Sequence, residues 1–340
     1  MNKKYDILSL GEIMLRLSPL ENERINNCDI FKKNVAGAEL NVAAGASLLG
    51  MKTGMISILP NNNLGTYARM KMKGLGVDDT YVLSDCENDA RLGIYYYENG
   101  AFPRKPQVVY DRKNSSIGKI NISKFTNEIY KSAKCFHTTG ITLALNKSTR
   151  ETTIEMMKKF KEAGAIISFD VNFRGNLWSG EEAKKCIERI LPYVDIFFCS
   201  EDTARLTFNK EGNLKSIMKS FTEDFPISIV ASTRRIVHSP KYHSFGSVIY
   251  NAKNDTFYTE DQYENIEIVD RIGSGDAYIS GVLYGVIGED MNCQRAVEYG
   301  NATAATKCTI PGDMPQSPKC DIDSIIKQHK SIGINSEMDR

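Results

Sequence analysis

Small residues set just ahead of an acidic one are the first chemically suggestive feature of this chain. In Val269-Asp270-Arg271-Ile272-Gly273-Ser274-Gly275-Asp276-Ala277, positions 273–275 let a bound anion approach the backbone closely. Apolar residues follow at Ile279, Val282, Leu283 and Val286, which is helical spacing. The turn therefore opens a helix whose free amides and positive dipole end suit a phosphate. A carboxylate there is poorly suited to bind phosphate itself. Beside a phosphoryl group in transfer, however, Asp276 can accept the proton of an attacking hydroxyl. Asp is also favoured at an ordinary helix start, so this stretch alone leaves both readings open.

A second stretch of small residues, Val35-Ala36-Gly37-Ala38-Glu39-Leu40-Asn41, opens a helix near the N-terminus. It lacks G-x-G-x-x-G and no apolar strand leads into it, which argues against a dinucleotide fold. Asn41 on its first turn can hydrogen-bond a polyol hydroxyl, and the small residues equally allow close helix packing. Asp170-x-Asn172-x-Arg174 lies at the carboxyl end of a predicted strand, where ligands of open α/β sheets bind. If the chain stays extended, the three side chains share one side. For Asp170 a loop-capping role is the preferred reading. The four histidines have no metal-ligand spacing, and neither Gly-x-Ser-x-Gly nor a Walker A lysine motif is present.

These segments must be held by a scaffold, and the pattern is α/β: short apolar runs alternate with helical periodicity, as in a parallel sheet covered on both faces. Strands are predicted at 6–10, 53–58, 135–138, 165–170, 196–199 and 227–231, and helices at 38–49, 64–73, 148–163, 181–191, 202–208, 275–286 and 293–307. Two segments rich in strand formers, about 12–36 and 89–113, interrupt the alternation and read as one inserted sheet set apart from the main one, a possible lid. The second carries a hairpin signal, Leu92 to Tyr97, a turn at Asn99-Gly100, then Gln107 to Tyr110. The expectation is one domain over 1–330 and a fraying tail at 331–340. With 43 Lys+Arg against 42 Asp+Glu, no long-range field would draw the chain to nucleic acid or an anionic membrane, so a small-molecule partner is expected. The eight scattered cysteines read as reduced thiols, and Asp6 and Ser9 break any signal-peptide run, so a cytoplasmic location is expected.

The two glycine stretches, in this order and more than 200 residues apart, resemble the paired signatures of the ribokinase-like, PfkB-type carbohydrate kinases. The resemblance extends from Gly11-Glu12 to Pro311-Gly312-Asp313. It implies a three-layer α/β/α fold with a mainly parallel central sheet plus a small β-sheet lid, use of ATP and Mg²⁺, and a homodimer built lid on lid. It implies Asp276 as catalytic base and the backbone of Gly273, Ser274 and Gly275 as the anion hole for the transferred phosphate. Gly11 to Pro19, Tyr110-Asp111-Arg112, Asp170 to Ser179 and Ile310 to Asp313 are similar to the 2-keto-3-deoxygluconate kinase branch. That substrate is a sugar acid, for whose carboxylate an arginine fork is suited. Gly37, Asn41, Tyr95, Tyr110, Arg112, Arg174 and Asp313 are then the expected sugar contacts. Asn172, Arg174, Ser232, Arg234 and Asn301 are the expected ATP contacts, with Arg235 as a possible sharer. Without the resemblance, the tyrosines read as cross-strand pairs and Arg112 as a solvated edge charge.

The chain departs from the family in the Asn-x-x-Glu motif that organises the Mg²⁺ water shell, which here reads Ser200-Glu201-Asp202-Thr203, so the metal ligands are unknown. Arg271 also replaces a small or apolar residue. The alternatives are a kinase for a neutral sugar of the fructose or ribose type, and a non-catalytic sugar or nucleotide sensor.

Overall fold

Continuous apolar runs such as Ile7-Leu8 and Met55-Ile56 cannot tolerate water on either face, and a strand built from them must be covered on both sides. The computed structural model describes residues 3–331 and meets this requirement. The strands, in chain order, are β1 (Tyr5–Leu10), β2 (Met14–Pro19), β3 (Phe31–Ala36), β4 (Thr53–Pro60), β5 (Asp78–Asp85), β6 (Gly93–Glu98), β7 (Gln107–Asp111), β8 (Ala133–Thr139), β9 (Ile166–Asp170), β10 (Ile196–Phe198), β11 (Ile229–Ser239), β12 (Tyr242–Asn251), β13 (Thr256–Thr259) and β14 (Tyr263–Glu267). Ten form the main sheet in the order β13-β12-β11-β10-β9-β8-β1-β4-β5, with β14 also pairing β12. From β5 to β11 every pairing is parallel, whereas β12 pairs antiparallel with β11, β13 and β14.

Alternation along β1 sends Leu8 into an apolar layer with Phe136, Phe160 and Phe169. Ile7 points the other way, into a layer with Cys135, Tyr278 and Tyr299. Helices on both faces complete the three layers. The four remaining strands form a separate sheet, β3-β2-β6-β7, from the two predicted segments. Its β6–β7 hairpin sets Tyr95 opposite Tyr110. The edge strand β7 is exposed throughout.

The structure departs from the sequence reading in several places, β12, β13 and β14 among them. The strand expected to stop at Ala231 runs on to Ser239, because β12 supplies a partner that the charged Arg234-Arg235 pair conceals. β5 and the helix Leu214–Asp224 were not anticipated. A helix also forms at Lys319–Lys330, after the point where the pattern weakens: only Ile322 and Ile326 are buried, and the Tyr299 hydroxyl on Asp323 and the Lys330–Glu298 ion pair supply the other anchors. The helix after the glycine turn spans Ser274–Leu283 and continues as a wider π-helical turn over Tyr284–Gly288. The predicted tail at 331–340 falls, except for Ser331, outside the described residues.

Candidate active site

The carboxyl ends of the parallel strands and the inner face of the small sheet enclose a cavity of about 530 Å³. The helix Ser274–Leu283 points its N-terminus into it. Gly273 precedes that helix with φ 81°, in the left-handed region, and a Cβ there would collide with the Asp313 carbonyl. At Gly275 a Cβ would meet nothing within 4 Å, so the helix start presents bare backbone to open space. This is a cradle an anion can fill.

Asp276, on the first turn, is partly buried, and its Oδ2 accepts a hydrogen bond of 2.7 Å from Asn41 Nδ2. The two glycine stretches thus meet at one point. Burial pushes the Asp276 carboxyl up to about 7, with the nearby charges of Asp170 and Glu39 adding and Asn41 and Arg174 opposing. Burial likewise raises Asp170 to about 7. Its Oδ1 accepts from the Asn172 amide at 3.1 Å, a local turn consistent with the capping reading. Asn172 has φ 37°, so the chain does not stay extended here. Asp170, Asn172 and Arg174 nevertheless all line the cavity. Glu39 is fully enclosed and accepts from the Thr139 amide and hydroxyl and the Thr142 hydroxyl, at 3.1, 2.7 and 2.6 Å, which anchors the Asn41 helix to β8.

On the small-sheet side, the Tyr95 and Tyr110 rings lie 5.7 Å apart and line the cavity with Gly37 and Arg112. Arg112 is not a solvated edge charge: its Nε donates to Glu12 Oε2 at 2.9 Å, and Nη2 donates to the same oxygen. Tyr95 donates to Asp313. Asp313 in turn pairs with Arg16 Nη1 at 2.8 Å, and the same nitrogen lies 2.7 Å from Asp270. Burial would lower the pKa of the Arg16 guanidinium, but the two carboxylates outweigh it and raise that pKa. Burial raises Asp313 against the pull of Arg16.

Three of the residues expected to contact ATP do not line the cavity. Alternation along β11 turns Thr233 and Arg235 to the cavity, in place of Ser232 and Arg234. Ser232 is instead buried beneath the strand at 1% exposure. Asn301 does not reach the cavity either: it is fully buried, accepts from Ser247 Oγ at 2.7 Å and donates to Glu260 Oε2 at 3.2 Å. Every other expected residue lines the cavity: Gly37, Asn41, Tyr95, Tyr110, Arg112, Asn172, Arg174, Gly273, Ser274, Gly275, Asp276 and Asp313. Arg16, Glu12 and Tyr97 were not singled out. A lone arginine between Leu15 and Leu17 in a strand was the available signal for Arg16, because a charge there needs a buried partner.

Ser200 and Thr203 also line the cavity, with their hydroxyls 2.8 Å apart and Ser200 capping the helix Glu201–Phe208. Glu201 turns away to pair with Arg205. Among the described residues, no group of three or more His, Cys, Asp or Glu side chains is placed to hold a metal ion. None of the described helices is long and apolar enough to cross a membrane.

A three-layer sheet with a cavity of this kind is the architecture of the pfkB family carbohydrate kinases, whose model matches residues 4–320. The chain belongs to that family and is a sugar kinase. It is 34% identical to the 2-dehydro-3-deoxygalactonokinase of Haloferax volcanii, over 95% of this chain and 96% of that one. It is 30% identical to the 2-dehydro-3-deoxygluconokinase of Bacillus subtilis, over 93% of each. The crystal structure of the 2-dehydro-3-deoxygluconokinase of Thermotoga maritima superposes with a TM-score of 0.89 at 32% identity, covering 94% of this chain and 99% of that one.

Proposed function

We propose that the protein transfers the γ-phosphoryl group of ATP to a hydroxyl of a 2-keto-3-deoxy sugar acid of the gluconate or galactonate type. The observation that carries the reading is the Asn41–Asp276 hydrogen bond, which joins a candidate sugar helix to a bare glycine turn inside one cavity. The relatives named for sugar-acid kinases at 30–34% identity support the acceptor class.

The sugar binds against the small sheet, with its hydroxyls on Asn41 and Asp313 and its carboxylate toward Arg112. Asn41 holds Asp276 beside the reacting hydroxyl. Asp276 takes the hydroxyl proton, and the oxygen attacks the γ-phosphorus in line as the bond to the β-phosphate oxygen breaks and ADP departs. The amides at 273–275 and the Arg174 guanidinium receive the charge that develops on the transferred group. Arg235 and Arg271 face the remaining phosphates. Mg²⁺ would enter with the nucleotide and would supply neutralisation of the phosphate charge, which requires no all-protein cage. The small sheet serves as a lid that excludes water, and its exposed edge, with Val109 52% exposed, is a candidate homodimer surface.

One observation favours a neutral sugar as the second reading: Arg112 already has Glu12 as its counter-ion. The deciding experiment is ADP release with keto-deoxy acids and neutral sugars, on wild type and Arg112→Ala. The variant should lose roughly 10²-fold in kcat/KM with the acids, the scale of a charged hydrogen bond, and far less with fructose or ribose. Wild-type turnover confined to neutral sugars would overturn the acceptor assignment.

A further inference from the structure

Lys307 lies in the last turn of the helix Cys293–Cys308 and is 1% exposed, among the largest fully buried side chains of the protein. A lysine is seldom enclosed so completely. Its Nζ donates to two backbone carbonyls from different loops, Asp270 O at 3.1 Å and Ile310 O at 3.0 Å. The first loop runs into Gly273 and the candidate anion hole. The second carries Asp313. Burial lowers the pKa of Lys307, while the charges of Asp270 and Asp313 favour its ionised form.

The same two loops are tied together at other points. Asp270 Oδ1 accepts from the Ile272 amide at 3.0 Å and Oδ2 from the Gly312 amide at 3.1 Å. Both the Val269 and Asp270 amides bond the Cys308 carbonyl, at 2.9 and 3.0 Å. Gly273 packs against the Asp313 backbone so closely that no side chain fits between them. The Arg16 guanidinium bridges the two loops through the Asp270 and Asp313 carboxylates, whereas the Lys307 ammonium bridges them through the backbone carbonyls of Asp270 and Ile310. None of its contacts reaches the cavity.

We propose that Lys307 is a positioning residue: its ammonium is an internal cation that holds the 270–273 and 310–313 loops in register, and so fixes the anion hole relative to the sugar site. The inference rests on the phosphoryl-transfer reading of the cavity but not on which sugar is the acceptor. Two carbonyls facing one buried positive charge form a half-built cage for any small monovalent cation. Removing the side chain while leaving the carbonyls should therefore create a site that ammonium or potassium fills.

The test compares Lys307→Ala with Lys307→Met, whose stem keeps the cage occupied without charge. Lys307→Ala should lose roughly 10- to 100-fold in kcat with a smaller change in KM, as misplaced oxyanion donors do. Ammonium or potassium chloride, but not lithium chloride at equal ionic strength, should restore much of that loss. Lys307→Met should be equally impaired and not restored, and wild type should not respond. Independently of turnover, ammonium should raise the melting temperature of substrate-free Lys307→Ala more than that of Lys307→Met. A Lys307→Ala enzyme with wild-type kcat, or an impaired one that ammonium and potassium neither activate nor stabilise, overturns the proposal. Should Lys307→Ala not fold, Lys307→Met decides: native-like near-ultraviolet circular dichroism with unchanged kcat overturns it, and reduced kcat upholds it. Wild-type turnover in the same assay separates this outcome from failure of the kinase reading itself.

Discussion

The two walls of the cavity handle charge in opposite ways. On the small-sheet wall every charged group has a partner: Arg112 with Glu12, and Arg16 with Asp270 and Asp313, the latter also receiving the Tyr95 hydroxyl. On the opposite wall Arg174, Arg235 and Arg271 line the cavity, and among the described residues none has a carboxylate within ion-pair distance. Burial and the neighbouring Arg271 lower the pKa of Arg235. A wall whose charges are already offset is rigid and shape-defining before any ligand arrives. A wall of unpaired cations is complementary to a polyanion and gains its stabilisation only when one binds. The contrast agrees with the proposed placement of the sugar on the first wall and the nucleotide phosphates on the second.

The harshest way to break this division is at Asp276, where the walls meet. Asp276→Asn should reduce kcat by about 10³-fold or more, within the range for a lost general base, read as ADP release under saturating sugar and ATP. The same variant should be more stable than wild type at pH 8. The folded pKa of about 7 lies above the ordinary 3.8, so wild-type stability falls as pH rises between those values. The amide avoids that loss, by at most about 4 kcal/mol for three pKa units, and its advantage should vanish near pH 4 in urea titrations.

Next in size is the paired wall. Arg16→Met leaves Asp270 and Asp313 enclosed without their direct ion-pair partner, which should cost about 3–5 kcal/mol, seen as a lower denaturation midpoint. The unpaired wall should respond differently. Arg235→Ala or Arg271→Ala should raise the KM for ATP roughly tenfold, about 1.4 kcal/mol, with no loss of melting temperature. A large stability loss in either arginine variant would erase the contrast.

The smallest effect sharpens the meeting point. The acid limb of kcat/KM should rise through about pH 7 as Asp276 ionises. Because the Asn41 hydrogen bond favours the charged carboxylate, Asn41→Ala should move that limb to higher pH, measurable in a pH–rate profile.

Much of this was legible in the sequence because it is written locally. Periodicity over a few residues marks a strand or a helix, small residues before Asp276 announce an approachable backbone, and the Tyr95–Tyr110 hairpin follows from two alternating runs around a turn. The face of β11 that meets the cavity was not legible, since a strand's two faces look alike until its neighbours are placed. The expectation put Ser232 and Arg234 first, with Arg235 sharing their role, whereas Thr233 and Arg235 line the cavity, and a shift of one residue along a strand reverses every side chain.

The sequence by itself determined an α/β kinase scaffold, an inserted sheet and an acidic residue at the head of a glycine turn. Only the tertiary structure decided which charges neutralise one another. Asn41 reaches Asp276 across 235 residues and Arg16 reaches Asp313 across 297. Such pairs depend on the order in which strands and loops come together, and local propensity carries no record of that order.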